Sequence, residues 1–154
     1  MKTTLLCALT IVATTSLMPF AKTASAEMLD NSELSLDPAK QTDQIEAMIE
    51  TVFEPLEEKV PGVVKKMIKI ADCESYGGRD GLIMHIDKAG KLIRNAKTKR
   101  ARGVFQIVPN PHDKMAASMG LDVTKVSDNI QYSRFLVEDR LRMGDKPFTD
   151  WVCA

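Results

Sequence analysis

The chain has 154 residues, and its 21 lysines and arginines are balanced by 21 aspartates and glutamates. A formal net charge of zero gives no electrostatic attraction for a polyanion, so we expect no nucleic-acid partner. The length is that of one domain built around a single hydrophobic core.

Residues 1–26 have the features of a secretory signal peptide. Lys2 gives a positive start, residues 5–13 form an apolar run, and Ala24-Ser25-Ala26 is the small-x-small pattern that signal peptidase accepts. The run is too short to span a bilayer, so we favour cleavage near Ala26 over a membrane anchor. Cleavage leaves 19 basic and 21 acidic side chains, a net charge near −2. The predicted mature protein is exported, to the periplasm or cell envelope.

Two cysteines, Cys73 and Cys153, remain after the predicted signal peptide, which contains Cys7. Exported compartments are oxidising, so we expect a Cys73–Cys153 disulfide. A bridge that closes a loop of about 80 residues contributes about 4 kcal/mol in the chain-entropy model. The alternatives are two buried free thiols, or a nucleophilic Cys73 paired with a histidine.

The predicted folded part follows a polar segment. Residues 27–41 show little periodicity and are interpreted as a flexible leader, and residues 42–154 as one domain. Asp37-Pro38 has the pattern of a helix cap and first helical residue. Apolar side chains at helical spacing then predict a core helix that Pro55 ends or kinks. These side chains are Ile45, Met48, Ile49, Val52, Phe53 and Leu56.

A second helix is predicted after the break at residues 60–62. Its apolar stripe includes Met67 and Ala71. Glu74 lies seven residues after Met67 and three residues after Ala71, so its side chain continues that stripe. A carboxylic acid that is desolvated and faces the negative end of a helix dipole favours its protonated form, which can donate a proton. The structural alternative is a Glu74 paired with a nearby arginine or lysine.

Residues 79–102 form the most irregular stretch. The segments LIMHID and KLIR flank a turn at Asp87–Gly90, which predicts a short β-hairpin or irregular insert. The basic run at residues 95–102 is typical of a cleft wall for an acidic or amide-rich polymer, or of a solvated loop. Gln106 lies in the apolar run that follows, where its amide needs partners such as substrate amides or hydroxyls.

Two more helices complete a mainly α-helical prediction. One runs from His112 to Gly120, and the last is capped by Ser127-Asp128 and ended by Gly144. Apart from the cysteines, the candidate metal ligands are His85, Asp87 and His112. Their spacing matches no standard site, so we expect no metal and no cofactor.

Three motifs together resemble the soluble lytic transglycosylase family. They are Glu74-Ser75 at a helix end, Gly103-Val104-Phe105-Gln106-Ile107, and Asn129-Ile130. The similarity extends over residues 63–153. Cys73, Tyr132 and Trp151-x-Cys153 also fit the cysteine-containing exported members.

The resemblance implies a lysozyme-like fold of the goose-type lysozyme and transglycosylase class. It implies a lyase that cleaves the β-1,4 bond between N-acetylmuramic acid and N-acetylglucosamine and leaves 1,6-anhydromuramoyl ends. Glu74 would be the catalytic acid/base, and the substrate-binding residues would be Ser75, Gly103, Gln106, Asn129 and Tyr132. Peptidoglycan strands would be the substrate. Small exported members often serve a secretion or conjugation apparatus, which is therefore an expected partner.

The chain departs from the family pattern in two places. The family's active-site tyrosine falls on Phe135, and Tyr132, one turn earlier, is the candidate substitute. The insert before Gly103 is also longer than the common pattern. A hydrolytic lysozyme, for which Asp80 and Asp87 are the candidate second acids, and a non-catalytic wall-binding or assembly protein therefore stay open as alternatives.

Overall fold

Helices make up most of the described structure. The computed structural model describes residues 29–76, 81–97 and 99–153, so the predicted signal peptide lies outside the described residues. Within these ranges the α-helices are α1 (Pro38–Phe53), α2 (Val63–Tyr76), α3 (Pro109–Ser118) and α4 (Val126–Met143). Strand pairing in these ranges is limited to isolated bridges. The predicted mainly α-helical class is confirmed.

Helix α1 begins where the cap pattern predicts. The Asp37 carboxylate accepts the backbone N–H groups of Ala39 and Lys40, and Pro38 occupies the first turn. The helix ends at Phe53, and Pro55 lies in the 3₁₀ turn Glu54–Leu56 that follows. A proline cannot donate the hydrogen bond that would continue an α-helix, which explains this end.

The segment predicted as a flexible leader, residues 27–41, contains a turn, the start of α1 and long-range hydrogen bonds in its described part. A 3₁₀ turn spans Asn31–Glu33, and the Asn31 amide donates to the carbonyl of Thr124 (2.8 Å) and accepts the N–H of Val126 (2.8 Å). Gln41 is already in α1 and fully buried. Polar contacts to distant residues hold this segment, and apolar periodicity cannot detect them.

The core lies between α1, α2 and α4. Helix α1 contacts both of the others, and Arg134 of α4 donates to the carbonyl of Val52 in α1 (3.1 Å). The largest fully buried apolar and aromatic side chains in the described ranges come from all parts of this core, and they are Tyr132, Phe53, Phe105, Ile45, Ile49, Leu56, Met67, Ile70, Ile83 and Ile130.

The start of α4 corrects one prediction. The expected cap at Ser127-Asp128 is wrong, because the helix begins at Val126 and its N-cap residue Lys125 provides no side-chain cap. The Asp128 carboxylate instead accepts the N–H of Asp122 at 2.9 Å. Gly144 ends the helix in a left-handed conformation, as predicted.

The insert folds as a narrow ribbon. An antiparallel bridge joins Ile86 to Leu92 across a turn in which the Asp87 carboxylate accepts the N–H groups of Ala89 (2.8 Å) and Lys91 (2.9 Å). Further bridges pair Arg102 with residues 94 and 107. The predicted hairpin turn is therefore present, with pairing too short to form a strand in the described residues.

Across the described ranges, we find no helix with both the length and the apolar composition that crossing a membrane requires.

Candidate functional site

A groove of about 980 Å³ separates the C-terminal end of α2 from the insert. The α2 side supplies Cys73, Glu74 and Ser75, and Gln106 also lines the groove. The insert supplies Asp87, Lys91, Leu92, Ile93, Arg94, Asn95, Ala96 and Lys99. The fold thus brings Glu74, the predicted catalytic residue, and Gln106, a predicted substrate-binding residue, to the same groove.

Glu74 lies half-buried in the last turn of α2. Its Oε1 accepts the backbone N–H of Cys153 at 3.4 Å, a long hydrogen bond. None of the ion pairs in the described part of the chain involves Glu74. The structural alternative, a glutamate neutralised by a neighbouring cation, is therefore not observed in these ranges.

The C-terminal tail reaches Glu74 through a disulfide. Cys73 and Cys153 are bonded as predicted, with their Cα atoms 6.1 Å apart. Arg140 of α4 also holds the tail, because its guanidinium donates to both oxygens of Asp150, at 2.9 and 2.5 Å. These two links place the Cys153 N–H at the carboxylate.

Ser75 is buried beside Glu74, and its hydroxyl faces the insert. The Ser75 Oγ accepts the N–H of Met84 at 3.2 Å. Ser75, a predicted substrate-binding residue, therefore ties the end of α2 to the segment that leads into the ribbon.

In the side-chain amide of Gln106, the nitrogen has a hydrogen-bond partner and the oxygen has none in the described structure. Its Nε2 donates to the carbonyl of Gly103 at 2.7 Å, whereas Oε1 is buried without a hydrogen-bond partner in the described structure. Turning the amide over would place two oxygens against each other, which supports this orientation. The backbone of Gln106 has a positive φ of 48°, so the 103–106 turn holds this amide in an uncommon conformation.

Gly103 lies behind the groove, in a position that only glycine fits. Its φ is +70°, and a Cβ atom there would lie 2.6 Å from His85 Cε1 and 2.8 Å from Asn129 Nδ2. Gly103 is buried and is not among the groove-lining residues, so the structure shows close backbone packing there, and its substrate-binding role stays a prediction.

Asn129 holds the same turn from the first helical turns of α4. Its Oδ1 accepts the N–H of Phe105 at 3.1 Å, and its Nδ2 donates to the carbonyl of Val123 at 2.9 Å. The side chain is fully buried. Asn129 therefore positions the loop that carries Gln106 and does not line the groove itself.

Tyr132 does not supply a hydroxyl to the groove. The side chain is fully buried, and its hydroxyl shares a 2.8 Å hydrogen bond with His112 Nδ1. Burial, together with Asp150, Asp139 and Asp113, raises the pKa of Tyr132 to about 12. The expected substitution for the family's tyrosine therefore has no support in the geometry.

Trp151, which fits the family pattern, lies in the core and not in the groove lining. It is buried against Phe105, with the rings in an edge contact at 5.9 Å, and its indole N–H donates to the Phe105 carbonyl at 3.1 Å. The indole supports the turn before Gln106 from within the core. It is not part of the groove lining, so it forms no aromatic wall beside Glu74.

Two buried polar residues lie behind the groove, of which sequence reasoning missed Gln41 and considered His85 only among the candidate metal ligands. His85 Nε2 donates to the carbonyl of Thr124 (2.9 Å), and Nδ1 accepts the N–H of Val104 (3.3 Å). Gln41 Oε1 accepts the N–H of His85 at 2.7 Å. Gln41 stands one turn before Ile45 on the apolar stripe of α1, and this was the available signal.

Burial lowers the pKa of His85 to about 4, which keeps the imidazole neutral at physiological pH. The residue considered as a metal ligand is therefore a packing residue whose two nitrogens are both occupied. In the described ranges, no three His, Cys, Asp or Glu side chains are grouped to hold a metal ion.

No family model, curated protein or solved structure matches this chain.

Proposed function

We propose that the protein is a peptidoglycan lytic transglycosylase with a lysozyme-like fold, acting in the cell envelope after export. The observation that carries the proposal is a half-buried glutamate, Glu74, that lines a groove without a cationic partner in the described residues. The motif order around Glu74, Gln106 and Asn129 supports the same class. The disulfide suits the oxidising compartment that contains this substrate.

Glu74 acts first as a general acid. It protonates the glycosidic oxygen between N-acetylmuramic acid and N-acetylglucosamine while positive charge develops on the muramoyl ring and the bond to C1 breaks. The resulting carboxylate then removes the proton of the muramoyl C6 hydroxyl, and this oxygen bonds to C1. Glu74 recovers its proton, and the products are a 1,6-anhydromuramoyl end and a free N-acetylglucosamine end.

The second carboxylate in the described groove lining is already engaged. Asp87 Oδ1 accepts two backbone N–H groups of the ribbon turn, so its side chain is held as part of the turn. Hydrolysis usually needs a second carboxylate that is available to the nucleophile. Asp80, the other candidate second acid, lies outside the described residues. Within the described groove lining, the engagement of Asp87 supports an internal hydroxyl as the nucleophile.

Gln106 supplies a polar contact for the sugar chain. Its Oε1 is a buried acceptor without a hydrogen-bond partner in the described residues, and Gln106 is one of the residues that line the groove with Glu74. A buried acceptor left without a partner costs about 1–3 kcal/mol, and an acetamido N–H or a sugar hydroxyl offers that partner. Substrate binding would therefore recover a cost that the free protein carries.

The first prediction concerns Glu74 itself. We expect Glu74→Gln to lower the release of soluble muropeptides at least about 100-fold, because the amide neither donates a proton as an acid nor accepts one as a base. The amide keeps an acceptor for the Cys153 N–H, so the melting temperature should change little. The measurement is digestion of purified peptidoglycan followed by mass spectrometry of the released ends.

The matched control is Glu50→Gln, an exposed glutamate of α1 that should keep full activity. Release of anhydro ends by the Glu74→Gln variant at close to the rate of the unmodified protein would contradict the role of Glu74. Ends heavier by one water would identify a hydrolytic lysozyme instead.

A non-catalytic wall-binding protein is the second candidate, and one observation favours it. Phe135 stands where the family has a tyrosine, and the hydroxyl of Tyr132 is bonded to His112 inside the core. The described groove lining therefore contains no tyrosine hydroxyl. Cosedimentation with purified cell wall without release of any soluble fragment would support this candidate.

A further inference from the structure

The insert gives the groove a basic wall, which we define as Lys91, Arg94 and Lys99. All three line the groove together with Glu74, and all three are exposed. None of them takes part in an ion pair within the described ranges. The basic wall thus presents three cations to whatever occupies the groove.

The positive charge is concentrated at this place. Residues 88–102 contain seven lysines and arginines and no acidic residue, although the whole chain is neutral. Two carboxylates in the described lining oppose the three cations, and one of them, Asp87, is held by the ribbon turn. The cations of the lining outnumber its carboxylates, and this excess of positive charge favours an anionic ligand.

The backbone fixes the basic wall in place. Arg94 is in an antiparallel bridge with Arg102, and the N–H of Gly103 donates to the carbonyl of Ile93 at 2.9 Å. The N–H of Lys99 donates to the carbonyl of Asn95 at 2.9 Å, in a turn where Lys99 has a φ of +56°. Backbone hydrogen bonds of the insert therefore set the positions from which these cations extend.

We propose that the basic wall binds carboxylates carried by the lactyl-linked peptide substituents of the glycan strand. This inference rests on the proposed function, because it names the part of the peptidoglycan substrate that lies against the insert. The N-acetylated sugar rings are neutral, so on a peptide-bearing strand the anions are the free carboxylates of the peptide substituents. Glu74 would act on the sugar linkage while the basic wall holds the peptide beside it.

The test measures binding, so that it does not depend on turnover. Soluble peptide-bearing glycan fragments are prepared from wall treated with hydrofluoric acid, which removes phosphodiester polymers, and are titrated into Glu74→Gln protein. Half of the fragments are first amidated with methylamine and a carbodiimide to neutralise their carboxylates. We expect amidation to weaken binding about tenfold, because three exposed ion pairs, each of modest strength, are lost together.

The matched variants are triple substitutions. In the Glu74→Gln background, K91Q/R94Q/K99Q should bind native and amidated fragments equally weakly, and its affinity should depend less on salt. K40Q/K65Q/K114Q removes three exposed lysines outside the described groove lining and should bind like the parent. K91R/K99R keeps the charge and should also keep the affinity. Circular dichroism checks that each variant is folded.

Two results would overturn the inference. One is equal binding of native and amidated fragments by the parent protein. The other is tight binding to untreated wall that disappears after hydrofluoric acid, which would assign the basic wall to phosphate polymers. Failure of the proposed function is seen separately, as absence of released muropeptides with unsubstituted Glu74.

Discussion

The imidazole of His85 joins three segments inside the core. Its two nitrogens bond to Thr124 and Val104, and its backbone N–H bonds to Gln41 of α1. These contacts connect the ribbon, the 103–107 turn and the segment that precedes α4. A proton on Nδ1 would break the bond from Val104 and place a charge in a fully buried site.

His85 therefore predicts a pH-dependent stability. Its pKa is about 4 in the folded protein and 6.5 as the ordinary value, so between these pH values the unfolded chain binds a proton that the folded chain excludes. The free energy of unfolding should fall as the pH is lowered from 6.5 towards 4, by up to about 3 kcal/mol. Urea unfolding at a series of pH values measures this decrease.

His85→Gln provides the comparison. Glutamine keeps a donor for the Thr124 carbonyl but does not titrate, so the variant should be less stable at pH 7 and should lose less stability on acidification. An unfolding free energy with the same pH dependence in both proteins would show that other groups cause the decrease.

Gly103 supports a prediction about steric fit. Gly103→Ala would place a Cβ against His85 and Asn129, whose positions are fixed by hydrogen bonds, in a backbone conformation that strains alanine. Overpacking costs about 1–3 kcal/mol and the left-handed conformation about 1 kcal/mol, so we expect a destabilisation of about 2–4 kcal/mol. Chemical denaturation gives this value directly.

The control for Gly103→Ala is Gly120→Ala. Gly120 has a similar φ of +75°, but a Cβ there would meet nothing within 4 Å. The difference between the two variants isolates the contacts with His85 and Asn129. Equal destabilisation would mean that backbone conformation alone explains the need for glycine.

At the scale of elements, the tail depends on α2 for its position. The double variant C73S/C153S removes the bridge and should lower the free energy of unfolding by about 4 kcal/mol under oxidising conditions. Muropeptide release should also fall, because the Cys153 N–H is no longer held at Glu74. Thermal unfolding and the digestion assay measure the two effects.

The unmodified protein in excess thiol reductant is the control for the double variant. Its melting temperature should fall to that of C73S/C153S, which itself should not respond to reductant. Identical melting temperatures for the oxidised unmodified protein and the double variant would exclude a stabilising role for the bridge.

The elements that sequence reasoning predicted best are those set by local patterns. The periodic apolar residues and the cap Asp37 predicted α1, and Gly144 predicted the end of α4. The start of α4 was missed because its first N–H bonds to Asn31, far away in the chain. Local patterns contain no information about such a tertiary cap.

At the scale of the whole molecule, the same distinction applies to the candidate site. Motif order predicted that Glu74 and Gln106 belong to one cleft, and a cleft wall was one of the two interpretations of the basic run. The directions in which the side chains of Tyr132 and Trp151 point were not predictable, because contacts with residues distant in the sequence set them. Spacing along the chain tells which residues share an element, but only the assembled core shows which of them lie in the groove.

The position of the sulfur–sulfur bond has a consequence for the groove as a unit. Cys73 and Cys153 are 80 positions apart, and every residue of the described groove lining lies on or between them. The backbone and the bridge thus form a closed covalent circle around the candidate site. If a protease severs one peptide link within that circle, the two pieces stay tethered, and they separate only after a thiol opens the second connection.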